Sequence, residues 1–299
     1  MNKNLYNTTI AKFLKTKILG RSIKVDSISN FPNNKDNSIS FLQNKTLENL
    51  SFSDTSTVIT FKNNYKALKK YNVSVIISDN PKYDFAITYD KYFKKKKKYF
   101  IDESLKIGKN CSLDKDIDIS FGVTIGDNVK IGKNVSLGKN VTINSNTIIN
   151  DNVIISAGSV IGIDPFSFGF KKNAEEKYIK IPSEGSVLLE KGVQIGHNCV
   201  IAKGVFDSTV IGKFTKINDL SHIGNTVKIG DNSLLMANTD ISARVEIGND
   251  CWIAQSVCVM QGIKIGDNVQ VGMGSIVTKN IKNNVVAYGQ PAKIIRKRI

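Results

Sequence analysis

The sequence predicts a mainly β protein: a parallel β-solenoid of triangular cross-section, preceded by a small α/β domain. Three observations predict it. Read every sixth residue, Ile107, Leu113, Ile119, Ile125, Ile131, Leu137, Ile143, Ile149, Ile155 and Ile161 are all Ile or Leu. The ladder breaks near Phe166, resumes at Leu189, Ile195 and Ile201, skips four residues, and holds from Ile211 to Val271. Residues 1 to about 100 lack this period altogether.

Each hexad reads aliphatic, usually Gly, two polar residues such as Lys-Asn or Asp-Asn, then Val, Ser or Cys, then a variable residue. The first residue fills the prism interior and the fifth, also inward, must be small. The polar pair turns the corner, where Asn and Gly tolerate unusual backbone angles. The sixth points outward from a flat side. About twenty-four hexads make about eight three-sided coils, a prism roughly 40 Å long at about 4.8 Å per coil.

The first domain, residues 1–100, mixes signals. TTIAKFLKTKI predicts a short amphipathic helix with Thr near its start, SISFLQN and STVITF predict strands, NYKALKKY a second helix, and VSVIIS a strand. The lysine run Lys94–Lys98 reads as the joint, and YFIDESLKIG enters the first coil. Residues 101–280 form the solenoid domain. Its break at 166–188, aromatic at one end and charged in the middle, predicts an excursion covering part of a prism face. The skip at Asp207 to Val210 predicts a tight bulge at a corner. Residues 281–299 form a tail, and from Pro291 a short helix or extended segment is expected to cover the open strand edges of the last coil.

Composition narrows the function. With 299 residues, 41% apolar and 23% charged, the chain is an ordinary globular mixture. Its apolar runs are too short for an integral membrane span, and its lysine-rich start is unlike a signal peptide, so a cytoplasmic location is expected. Cys111, Cys199 and Cys251 occupy the inward fifth slot as core filler, while Cys258 falls one slot later; no disulfide or zinc spacing results. The net charge of +16 favours encounters with polyanions such as nucleotide sugars, coenzyme A or an acidic carrier protein. Most of it is corner lysine, and no aromatic-interleaved basic patch points to nucleic acid.

Chemistry on a prism face needs a titratable group, and the chain has two histidines. Two imidazoles without a third ligand argue against a metal site. His222 fills the sixth slot of INDLSH and so points outward from a flat side. His197 occupies the third slot of IGHNCV, a corner, with Asp219 on the same edge one coil later. An imidazole can take a proton from an amine or hydroxyl attacking a thioester carbonyl, and His222 is the candidate base. Backbone N–H groups at the corners, that of Gly224 among them, are candidate oxyanion donors. In VGMGSIVTK, Gly272 and Gly274 would admit a ligand close to the backbone, and with Ala254 they are candidate co-substrate contacts. Trp252 also points outward.

These residues resemble a known family. SISFLQN, SDNPKYDFA, FSFGF, IP..GSVLLEKGVQIG, DSTVIGKFTKIND and HIGNTVKIGDN resemble the UDP-3-O-acylglucosamine N-acyltransferases of lipid A synthesis and their nucleotide-sugar N-acyltransferase relatives, over nearly the whole chain. The resemblance implies a left-handed parallel β-helix, a homotrimer, and active sites in the clefts between subunits. It implies substrate contacts at Phe41 and Asn44 in the first domain, and Phe168, Phe170 and His197 join them as candidates. Two departures stand out. Where the family commonly has His-Ile-(Gly/Ala)-His-Asn with the second His as base, this chain has His222-Ile223-Gly224-Asn225-Thr226. Where the family spaces Phe, Asn and Tyr three residues apart around uracil, this chain has Phe41, Asn44 and Leu47. The tail GSIVTKNIKNNVVAYGQPAKIIRKR resembles acetyl-coenzyme A-dependent hexapeptide transferases rather than the lipid A enzyme, which ends in helices that receive acyl carrier protein.

The expected activity is N-acyl transfer from acetyl-CoA or a short acyl-CoA, a co-substrate rather than a tightly bound cofactor, to a nucleotide-linked amino sugar. His222 is the expected base, with Asn225 and Asp219 as orienting groups. Hydroxyacyl transfer from an acyl carrier protein thioester is the first alternative. A silent sugar-binding or scaffold solenoid is the second.

Overall fold

A computed structural model describes residues 4–29, 34–43, 52–95 and 99–298. The chain divides into two compact units, residues 1–97 and 98–299.

The first unit is a five-stranded sheet with helices. Its elements are α1 (Asn7–Phe13), β1 (Ile18–Leu19), β2 (Ser27–Ile28), β3 (Ser38–Leu42), β4 (Thr57–Thr60), α2 (Tyr65–Leu68), β5 (Ser74–Ile77) and α3 (Pro81–Tyr92). The sheet order is β1-β5-β4-β3-β2, parallel except for β1. β4 is buried along its whole length, as expected of a parallel strand covered on both faces. The two helices and three strands read from the sequence are present; α3 is an addition. Asn80 caps it, its side chain accepting the Tyr83 N–H, and Pro81 opens it at the first helical position, where a missing N–H costs nothing. Among the described residues no helix is long and apolar enough to cross a membrane.

The second unit is a left-handed parallel β-helix. Three sheets form its sides. The first carries Lys106–Ile107 through His222–Ile223 to Ile276–Val277, nine strands in all; the second runs from Ser112–Leu113 to Lys264–Ile265, eight strands. The third runs from Asp118–Ile119 through Lys216–Ile217 to Val285–Gly289, and its tenth strand, Ala292–Lys297, returns antiparallel. The prism is therefore longer than the eight coils read from the hexads. Val285–Gly289 adds a rung to the third face after the hexad pattern has lapsed, because inward Val285 and Ala287 preserve the alternation without the corner signature.

Slot by slot the reading of the hexad holds. Ile119, Leu137, Ile155, Ile195, Ile223 and Ile241 are buried in one continuous core with the fifth-slot Val135, Cys199, Val227 and Cys251, and Cys258 is exposed. The corner divides its labour more sharply than expected. The fourth slot adopts positive φ, which Asn tolerates, as at Asn128 (57°) and Asn140 (55°). The second-slot glycine serves stacking instead: a Cβ on Gly224 would lie 2.8 Å from the Ala243 nitrogen of the next coil. A third-slot Asp clasps the coil before it, Asp231 Oδ1 accepting the Lys213 N–H at 2.7 Å and Asp267 Oδ1 the Asn249 N–H at 2.7 Å.

Three segments leave the hexad register. In the excursion at 166–188, Phe168–Phe170 and Tyr178–Lys180 pair as an antiparallel hairpin whose six strand residues are all exposed. At the second skip, Ser208–Ile211 is a strand, and the irregular turn precedes it, with Gly204 against the Asp207 carbonyl and Phe206 exposed. The tail takes the extended of its two expected forms, a strand, with Arg298 donating to the Asp250 and Val269 carbonyls.

Asp164 anchors the root of the hairpin, its carboxylate 2.8 Å from Lys203 Nζ and 3.1 Å from Lys180 Nζ. The Lys203 hydrogen bond, then that of Lys180, lowers the Asp164 pKa. A depressed carboxylate stabilises the fold above its unfolded pKa, about 3.9, and that contribution is lost as pH falls through the folded value. Tryptic cleavage in the Lys171–Lys177 tip is therefore expected to accelerate in Asp164→Asn at pH 7. A cleavage rate at Lys171–Lys177 unchanged by the substitution would show that the ion pairs do not hold the hairpin.

Candidate functional site

The residues of INDLSHIGN occupy three successive stations of one coil: Asp219 on the edge between the third and first faces, His222 on the first face, and Asn225 on the edge between the first and second. His222 is exposed, and its Nδ1 lies 2.9 Å from Asp240 Oδ1, directly across the coil interface in the register that pairs the two residues. An ionised carboxylate only accepts, so Nδ1 carries the hydrogen, and in the neutral ring that leaves the lone pair on Nε2. Asp240 is thus the orienting partner of His222, in place of Asp219. Counting eighteen residues on from His222, one coil, was the signal that could have found it.

Asp219 belongs to His197. Its Oδ1 accepts the His197 backbone N–H at 2.7 Å and lies 3.1 Å from Nδ1, on the shared edge that the hexad register predicts. These bonds, the backbone one first, hold the Asp219 carboxyl below the ordinary range. The backbone bond is the clasp seen at Asp231 and Asp267; the ring bond is an addition. Asp240 has no such clasp role, since it sits in a sixth slot.

Asn225 is half-buried at its corner, where its carbonyl accepts the Arg244 N–H at 2.9 Å. The Gly224 N–H donates to the Ile241 carbonyl at 2.7 Å and is therefore engaged in the ladder, which removes it as an oxyanion donor. The edge at Asn225 also collects both insertions: the Glu184 N–H at the hairpin's return donates to the Val205 carbonyl, and the Val205 N–H to Thr226 Oγ1. Phe166 and Phe168 rings lie 4.7 Å apart, Phe170 and Tyr178 rings 5.1 Å apart, and a cavity of about 500 Å³ is lined by Phe166, Phe168 and Tyr178. All three corners of the His222 coil place a bulky residue at positive φ: Phe214, Leu220 and Thr226. β-Branched Thr226 in that region is a strained position.

Ala254 lies half-buried on the edge of His197 and Asp219, two coils beyond Asp219. Gly272 follows on the same edge, closed off by Tyr288, whose Cβ stands 2.7 Å from where a Gly272 side chain would begin. Gly274 is open, with no atom within 4 Å of that position, and its carbonyl accepts from Gln290 Nε2. In the first unit Phe41 is half-buried with its ring 5.0 Å from that of Phe85 on α3, so one of its faces is already packed. Asn44 and Leu47 lie outside the described residues.

Comparison with known proteins adds relatives to this geometry. A profile described as "Bacterial transferase hexapeptide (six repeats)" matches residues 128–162 and 244–279, and one described as "Hexapeptide repeat of succinyl-transferase" matches 184–206. A UDP-3-O-acylglucosamine N-acyltransferase of Campylobacter lari is 37% identical over 295 residues, covering 94% of this chain and 91% of the relative. UDP-3-O-acylglucosamine N-acyltransferase 2 of Sulfurimonas denitrificans is 32% identical over 121 residues, 40% of this chain and 38% of the relative. That match spans well under half the length of the relative. Among solved structures, the Francisella novicida UDP-N-acetylglucosamine acyltransferase superposes with a TM-score of 0.59 at 21% identity, over 66% of this chain and 70% of that one. An enzyme of the same description from Bacteroides fragilis gives 0.54 at 23% identity, over 66% and 72%. At these identities the likeness is one of fold.

Proposed function

The chain belongs to the UDP-3-O-acylglucosamine N-acyltransferase family of hexapeptide-repeat acyltransferases, and from that premise we propose that it moves an acyl group from a thioester to the amine of a nucleotide-linked amino sugar. One observation carries the proposal: the His222–Asp240 pair, an outward imidazole with its tautomer set by a carboxylate across the coil interface. His222 Nε2 takes the proton as the amine nitrogen attacks the thioester carbonyl carbon. The C–N bond forms, the C–S bond breaks, and the proton passes to the departing thiolate. The Asn225 side-chain amide, one corner on, is the proposed oxyanion donor in place of Gly224. In this family the base commonly stands at the position of Asn225; here the role passes to the imidazole three residues earlier.

The nucleotide is assigned to the first unit at Phe41 and Asn44. The Phe41 ring already packs against Phe85, and with Leu47 where the family has Tyr this favours a weaker or different base contact. The subunit is assigned to a homotrimer, because flat prism sides expose large faces that cyclic symmetry buries. Acyl thioesters as co-substrates place the reaction in the cytoplasm.

Acetyl-CoA or another short acyl-CoA is the proposed donor, supported by the resemblance of the tail GSIVTKNIKNNVVAYGQPAKIIRKR to acetyl-coenzyme A-dependent hexapeptide transferases. Turnover of UDP-linked amino sugars with acetyl-CoA but not with hydroxyacyl carrier protein is expected, followed by thiol release. The reverse preference would place the chain with the hydroxyacyl transferases of lipid A synthesis. No turnover with either donor would favour a silent scaffold, the reading that Asn225 supports.

A further inference from the structure

We propose that the cavity beside Asp219 on the third face is a carbohydrate subsite, in which Lys216, Gln194 and Asp219 read the hydroxyls of a sugar ring. The inference rests on the acceptor being a nucleotide-linked amino sugar. It places the sugar in contact with Lys216 and Gln194, which neither the hexad pattern nor the catalytic pair requires, and with Asp219, whose Oδ1 already clasps His197.

The cavity encloses about 380 Å³, more than one hexose ring occupies and well short of a nucleotide sugar. Its floor and rim are apolar: Ile154, Leu234 and Met236. Its polar groups come from consecutive rungs. Gln194, Lys216 and Leu234 are register neighbours in outward sixth slots, and Asp219 closes the cavity at the edge. Such a mixture suits a sugar, whose C–H face packs on aliphatic carbon while its hydroxyls need both donors and acceptors close by.

Charge selects among ligands. Lys216 is half-buried, with its Nζ donating to the Gly192 carbonyl at 2.7 Å, and the Asp219 carboxylate stands opposite as the cavity's acid. One cation and one anion leave no net charge for a phosphate, whereas a neutral polyol meets a donor on one side and an acceptor on the other. The edge next to Asp219 is also open. The His197–Asp219 pair sits in a column between Ala157 and Ala237, as the Asn198→Ala157 and Asn238→Asp219 backbone bonds establish, so small side chains stand above and below it.

Calorimetric titration of the full chain with UDP-glucosamine and, separately, with UDP tests the subsite. The wild type is expected to bind the sugar nucleotide about tenfold more tightly than UDP, and Lys216→Met and Gln194→Ala to lose that increment while binding UDP as before. Trp252, the only tryptophan, lies one rung beyond Leu234, so its fluorescence gives a second readout independent of turnover. Absence of an increment in the wild type, or an increment that survives both substitutions, overturns the proposal. An increment lost in both variants, in a chain that transfers no acyl group, would sink the acyltransferase reading and leave the subsite standing. Acyl transfer with an increment indifferent to both would do the reverse.

Discussion

His222→Ala is expected to lower kcat/KM for acyl transfer by about 10²–10⁴-fold, the contribution typical of a positioned general base, with the fold intact because the side chain is outward and exposed. The loss should appear in kcat with little change in KM, since the imidazole acts on the proton leaving the amine in the transition state. Asp240→Asn is expected to lower kcat by at least about tenfold. An amide can turn its NH₂ toward the ring, and Nδ1 then becomes the acceptor and Nε2 the protonated, useless nitrogen. Wild-type rates in either variant would mean the base stands elsewhere.

Gly224→Ala should injure stability and catalysis together. The new Cβ would stand 2.8 Å from the Ala243 nitrogen and 3.0 Å from the Ile241 carbonyl oxygen, both backbone atoms of the coil that carries Asp240. Backbone cannot swing aside as a side chain can, so the two coils must separate locally. Overpacking of this kind costs about 1–3 kcal/mol, or a few degrees in Tm. Because His222 and Asp240 belong to the two separated coils, their 2.9 Å bond lengthens, and kcat should fall by at least about tenfold. Gly212→Ala is the comparison. Its Cβ would meet the Gly230 carbonyl carbon at 2.5 Å on another edge, so stability should fall and kcat at 25 °C should not. Equal kcat in the two variants would detach the coil spacing at Gly224 from the chemistry.

What could be read from the chain follows from how a solenoid is built. Each coil touches its two neighbours in one register, so a period of six fixes inward, corner and outward positions by counting. That is why the outward placement of His222, the edge shared by His197 and Asp219, and the differing fates of Cys251 and Cys258 were all legible. Asp240 is equally countable, standing eighteen residues on from His222. Where the chain leaves register the same arithmetic has nothing to act on. Residues 166–188 and 203–207 turn on local pairing and close glycine approaches, such as Gly204 against the Asp207 carbonyl, which no periodicity announces. Helix α3 was missed because its polar sequence lacks an apolar stripe, although Asn80-Pro81 marks its start. The engaged N–H of Gly224 and the covering of Gly272 by Tyr288 arise from neighbours one coil away, visible only once the stack is assembled.

The antiparallel return of Ala292–Lys297 reaches beyond its own coil. Parallel rungs are interchangeable, and a prism ending on one would accept the first rung of another copy, the elementary step of head-to-tail filament growth. A strand running the other way breaks that equivalence, and Lys293, Arg296 and Lys297 set three positive charges along its length. On the third face, extension of the stack by a second chain would have to reverse strand polarity and desolvate those cations, which favours discrete particles over fibres.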